Sequence, residues 1–182
     1  MPRLTSETKE EIKKLSPNKL QEIVLKLAAK DKTAYDFIFV NYLDKDYGEQ
    51  DLYEEAKEDL NALFFKGYMG RSEQLRMANK LIACIKRVNE FTKTCNNKKL
   101  EADLLVYILK EPFSMPADFF GTCFTKFDSK VAQIVKRLIT IITKKLHEDY
   151  KADYYRDINH YLQILHNRSQ HINMVYNMPD KI

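Results

Sequence analysis

Residues 128–150 read DSKVAQIVKRLITIITKKLHEDY, and the fold class turns on whether this stretch is helix or strand. Its apolar residues Val131, Ile134, Val135, Leu138, Ile139, Ile141, Ile142 and Leu146 recur at helical spacing and, at about 100° per residue, cover about half the circumference. The run Leu138–Thr143 is β-branched and taken alone fits a buried strand. Continuation of the period on both sides, with Asp128 or Ser129 as a cap, favours helix. So wide a stripe needs several neighbours to cover it. The stretch therefore predicts a central helix packed on by other helices, with Gln133, Lys136, Arg137, Thr140, Lys144 and Glu148 facing water.

The rest of the chain agrees. Four glycines and five prolines in 182 residues supply too few turns for an all-β fold. Thr8 to Glu11 has the form of a capping box for a short helix ending at Leu15, and Ser16-Pro17 restarts the chain with Leu20, Ile23, Val24 and Leu27 as a buried face. Tyr35–Leu43 is apolar or aromatic nearly all round and predicts a buried helix, followed by a turn over Asp44–Gly48. Leu52, Ala56, Leu60, Leu63 and Phe64 mark an amphipathic helix with Glu54, Glu55, Glu58 and Asp59 on its other side. After the loop Lys66–Arg71, Ser72 caps a long helix to about Thr94, broken at Cys95-Asn-Asn97. A helix over Leu100–Ile108 is expected to stop before Pro112. Helical pieces follow from Pro116, and Tyr154, Ile158, Tyr161, Leu162 and Leu165 define a final helix.

The expectation is an all-α fold of seven to nine helices. Antiparallel pairs at 17–43, 49–94, 98–127 and 129–166 suggest a short solenoid-like array or an irregular bundle. Residues 1–176 read as one domain and 177–182 as a flexible tail. The opening residues carry no apolar core of a signal peptide, and no apolar run approaches 18 residues. A cytoplasmic protein without membrane contact is expected. Cys84, Cys95 and Cys123 match no metal or redox spacing, so no disulfide is expected and Cys84 reads as a small buried side chain.

The order of elements carries a resemblance. Lys14-Leu-Ser-Pro-Asn-Lys-Leu20, Tyr35-Asp-Phe37 before an acidic helix, a basic hairpin loop, the Leu104-Leu-Val-Tyr107 helix and a tyrosine-rich last helix follow in sequence. In this the chain resembles a family of uncharacterised bacterial all-helical proteins known as a domain of unknown function. The resemblance covers most of the chain and implies a helical fold, with no established activity, substrate or catalytic residues.

Charge is unevenly placed. Residues 61–100 hold nine Lys or Arg against two Asp or Glu, whereas residues 1–60 hold ten against fourteen, within a total of +4. On the helix after the loop, Arg76, Lys80 and Arg87 fall within about 40° of each other, opposite the apolar stripe. With Lys66, Arg71 and the backbone of Gly67 and Gly70 they form a candidate nucleic-acid or phosphate site. The competing reading is a hairpin turn with a solvated basic face, balanced by the acidic helix at 49–59. Asp153, Asp157 and His160 share one helical face, a weak metal candidate that finds no second ligand set in the sequence. Phe119, Phe120, Phe124 and Phe127, with Gly121, read as core or as the lining of a groove.

No nucleophile elbow, P-loop, dinucleotide fingerprint or histidine-glutamate zinc helix is present, so no catalytic residue and no cofactor is implied. The leading expectation is a non-enzymatic helical domain that binds a protein partner, with homo-oligomers allowed. Nucleic-acid or phosphate binding is the alternative, and a metal-dependent enzyme comes third.

Overall fold

The structure, a computed structural model, describes residues 4–123 and 125–182. Among them every regular element is helical, and the chain is all-α. Where the sequence reads as one run of hairpins, the contacts gather into two compact units, Met1–Gly48 and Glu49–Ile182.

In the first unit α1 spans Ser6–Lys13, and its cap lies three residues earlier than the capping box expected at Thr8. The Thr5 hydroxyl accepts from the Thr8 N–H at 3.2 Å. Helix α2 spans Pro17–Lys30 with Ser16 at the N-cap and Pro17 at the first helical position, where its missing N–H leaves nothing unpaired. Asp31 ends α2 and caps α3 (Lys32–Ile38), accepting from Thr33 N–H at 2.8 Å. Phe39–Leu43 then widens into a π turn, closed by Asp44 N–H to the Phe39 carbonyl at 2.9 Å. The turn expected over Asp44–Gly48 is instead this π turn followed directly by α4 (Lys45–Phe65).

The helices α2 and α3 pack on each other, but the buried faces expected here are not buried. Ile23, Val24 and Leu27 on α2, and Tyr35, Phe37, Tyr42 and Leu43 beyond it, are exposed, and Val40 is the only buried apolar side chain that the unit shows among the described residues. The physical reason is size. Fewer than 50 residues in short helices cannot cover apolar side chains that point several ways.

The second unit is an irregular bundle around α7 (Thr125–Lys145). The helix α5 (Glu73–Thr94), α6 (Lys98–Ser114), α8 (Glu148–Arg168) and the short α9 (Asn173–Tyr176) all pack on it. Val131, Val135, Leu138 and Ile142 have no exposed surface, as the wide stripe requires. The strand reading fails because the two threonines in the β-branched run donate back to the carbonyls one turn earlier, Thr140 to Lys136 and Thr143 to Ile139, each at 2.8 Å. From α4, Ala56 and Leu60 enter the same core.

Three boundaries differ from expectation. The quoted stretch is not one helix to Tyr150: α7 ends at Lys145, and His147 caps α8. Asp128 and Ser129 do not cap α7, which starts at Thr125. Helix α6 passes through Pro112, since a proline in the last turn removes one hydrogen bond and its ring is buried in the core. Residues 117–119 form a single 3-10 turn, Ala117–Phe119. The residues after Tyr176 make contacts that their polar composition does not announce. Met178 is buried, and Asn159 both donates to the Ile182 carbonyl at 3.1 Å and accepts its N–H at 2.9 Å.

Candidate functional site

The loop between α4 and α5 is anchored from within. The Ser72 hydroxyl accepts the Leu75 N–H at 3.2 Å, Asn79 donates to the Met69 carbonyl at 2.8 Å, and Arg76 Nη1 donates to the Gly70 carbonyl at 3.2 Å. The two glycines differ in purpose. A Cβ at Gly67 would meet nothing within 4 Å, whereas one at Gly70 would lie 2.8 Å from the Arg76 backbone nitrogen. Gly70 is thus required for the close approach of loop to helix, and Gly67 is not required for packing at all.

The basic residues are treated unequally. Lys80 Nζ donates to Glu111 Oε1 at 2.7 Å, and Arg87 Nε to Asp59 Oδ2 at 2.5 Å. Both partners are 28 or more residues away in sequence. The second pair is the acidic helix meeting the basic ridge inside one molecule. Lys66, Arg71 and Arg76 remain exposed.

Beneath the loop lies a cavity of about 290 Å³ lined by Lys66, Gly67, Tyr68, Glu73, Arg76, Met77, Lys80, Met115 and Phe119. Two polar atoms near it, the Tyr68 hydroxyl and Glu111 Oε2, are buried without a hydrogen-bond partner. Burial, with smaller contributions from Cys84 and Glu111, raises the Tyr68 phenol above its ordinary value of 10.0. Burial and the Glu111 carboxylate push the Cys84 thiol up to about 12. At neutral pH it is therefore a protonated, buried side chain and no nucleophile.

The metal candidates do not gather. Asp153 and His160 face solvent on α8, and Asp157 Oδ1 accepts from Arg156 Nε at 3.4 Å. Among the described residues no three His, Cys, Asp or Glu side chains meet at one point. Phe120 and Phe127 are buried and Phe119 half-buried; Phe119 meets Phe127 edge-on and Phe120 meets it tilted, each with ring centroids 5.0 Å apart, and the core cluster continues through stacked rings to Phe113 and Tyr161. Of the same aromatic set, Phe124 lies outside the described residues.

The strongest electrostatic feature was not singled out by sequence. Glu101 on α6 is 5% exposed, and both Arg137 (2.7 Å) and Lys98 (2.8 Å) bond to it. Burial pushes its carboxyl up, but the hydrogen bonds and charges of Lys98 and Arg137 outweigh this and hold it below its ordinary 4.5. A depressed folded value stabilises the fold fully at pH above that ordinary value, and the gain is lost as pH falls through the folded value. Melting midpoints followed from about pH 6 down to about pH 3 should therefore fall less steeply in Glu101→Gln than in the wild type. Parallel slopes would show that the pair contributes nothing to acid sensitivity.

No protein-family model matches this chain, and comparison with curated proteins and with solved structures gives no match. Among the described residues, no helix is long and apolar enough to cross a membrane.

Apolar side chains are also left uncovered in the unit Met1–Gly48. The apolar spacing on α2 and beyond Tyr35 predicts a buried face, but spacing does not say what covers that face. Leu25 is 71% exposed and Tyr42 74%.

Proposed function

We propose that this chain is a non-enzymatic, helical protein-interaction domain, and that the apolar faces of Met1–Gly48 make the contact. The observation that carries this reading is where apolar surface is left uncovered. Among the described residues, ten of the sixteen exposed large apolar side chains lie between Leu4 and Leu43, and a concentration of that kind marks a binding surface where scattered single residues do not. On α2 the residues Leu20, Ile23, Val24 and Leu27 keep the i, i+3, i+4, i+7 spacing with which an amphipathic helix enters a partner's groove. The ion pairs nearby, Lys13 with Glu10, Lys14 with Glu11 and Lys26 with Glu22, are local to their helices and leave the surface almost neutral. Docking therefore rests on apolar burial, about 1.5–3 kcal/mol for each large side chain fully covered.

The anion-binding reading of the loop has less support, because Lys80 and Arg87 already hold acidic partners. A tagged chain carrying Ile23→Glu and Leu27→Glu should retain its helix content, since glutamate is a good helix former. It should capture its partner from extracts of the source cells at least about tenfold more weakly than the wild type. Equal recovery of the same partner by both chains would remove this surface from the account.

A further inference from the structure

In the second unit a groove runs between α5 and α7. Its volume is about 440 Å³, and Leu81, Ile82, Ile85 and Ile134 supply its apolar surface. Lys86, Lys130 and Arg137 also line it, together with Asn89 and Gln133, and no acidic side chain does. The volume falls within the range of small-molecule sites, about 300–1,000 Å³.

Arg137 is fixed at this groove. Its Nε and Nη2 donate to Glu101 Oε1 at 3.0 and 2.7 Å, and its Nη1 donates to Asn89 Oδ1 at 2.6 Å. A guanidinium carries five N–H donors, so these three bonds leave two, held in a set orientation. Lys98 also bonds the Glu101 carboxylate, so the two cations around that single acid leave one positive charge in excess. Lys130 is tied only to a neutral partner here, donating to Gln133 Oε1 at 2.9 Å. The result is an apolar trough whose polar edge is cationic.

We propose that this groove binds an acyl carboxylate, its chain lying over Ile82, Ile85 and Ile134 and its carboxylate meeting Arg137 and Lys130. Charge complementarity selects the head group, and the apolar floor selects the tail. Nucleotide bases would need a stacking ring, and no aromatic side chain lines the groove.

The test is calorimetric titration of the intact chain with octanoate, decanoate and the decyltrimethylammonium ion, each below its micelle concentration. Two further methylenes, at about fourfold each, make decanoate about fifteenfold tighter than octanoate. The cation of equal chain length is expected to bind at least about tenfold more weakly than decanoate. Ile82 is 40% exposed, so Ile82→Glu places a carboxylate in the trough without opening the core, and it should abolish decanoate binding with an unchanged melting midpoint. Lys130→Glu should weaken decanoate and leave the tail-length ratio as it was. Equal binding of anion and cation, no decanoate binding, or full affinity in Ile82→Glu would overturn the proposal. So would an acidic amphipathic peptide that binds where decanoate does not, since the groove would then belong to a protein.

Discussion

Replacing Asp128 with alanine is expected to lower the unfolding free energy by about 3 kcal/mol. Asp128 and Ser169 have no exposed surface, and both sit in the bundle of Glu49–Ile182. One carboxylate oxygen, Oδ1, accepts the Gly121 N–H at 3.0 Å and the Ser169 hydroxyl at 2.5 Å. It thereby joins the loop before α7, the first turn of α7 and the residue that ends α8. Alanine would leave both donors unpaired in a site closed to water, at about 1–3 kcal/mol each. Asparagine keeps an acceptor at Oδ1, and it removes a buried charge whose other oxygen, Oδ2, has no partner. Asp128→Asn should therefore cost less than half as much as Asp128→Ala. Urea unfolding of the two variants decides this, and an alanine variant within about 0.5 kcal/mol of the wild type would show that the joint is not structural.

Gly121→Ala is expected to cost about as much, from the other side of the same joint. Gly121 has φ +73°, and a Cβ there would lie 2.4 Å from the Arg168 carbonyl oxygen. The left-handed backbone costs a non-glycine residue about 1–2 kcal/mol, and the contact must be relieved by moving the end of α8. Since Ser169 follows Arg168, that movement also strains the hydrogen bond to Asp128. The double variant should accordingly be less destabilised than the two single effects added together. Gly67→Ala, where nothing lies within 4 Å of the new carbon, is the matched control and should leave stability within about 0.5 kcal/mol. If Gly121→Ala were as mild as Gly67→Ala, the close approach of loop and helix would carry no energy.

The residues that were read well are those whose role depends on near neighbours in sequence. The stripe from Val131 to Ile142 is buried as a helix, Ser72 and Pro17 start helices, and Cys84 is buried. Periodicity states which side chains share a face, but not what covers that face. This is why the spacing of Ile23, Val24 and Leu27 predicts core although the three are exposed. The same limit applies to charge. Arg76, Lys80 and Arg87 do sit on one helix, yet Glu111 and Asp59 reach two of them from other helices, a pairing that no local pattern encodes. An acid before an apolar run is usually a helix cap, which is what the position of Asp128 in the sequence predicts. Its actual contacts, with Gly121 and Ser169, depend on the tertiary fold.

The central claim, that the apolar surface of Met1–Gly48 meets a protein partner, is most directly tested by photocrosslinking in the source cells. A photoreactive residue is placed at Ile23 or Tyr42 and, as a control, at the exposed Lys144 of the other unit. The account predicts a discrete, heavier adduct from Ile23 and from Tyr42, lost when Leu27→Glu is added, and none from Lys144. No adduct at Ile23 and Tyr42, or the same adducts at all three positions, would contradict it.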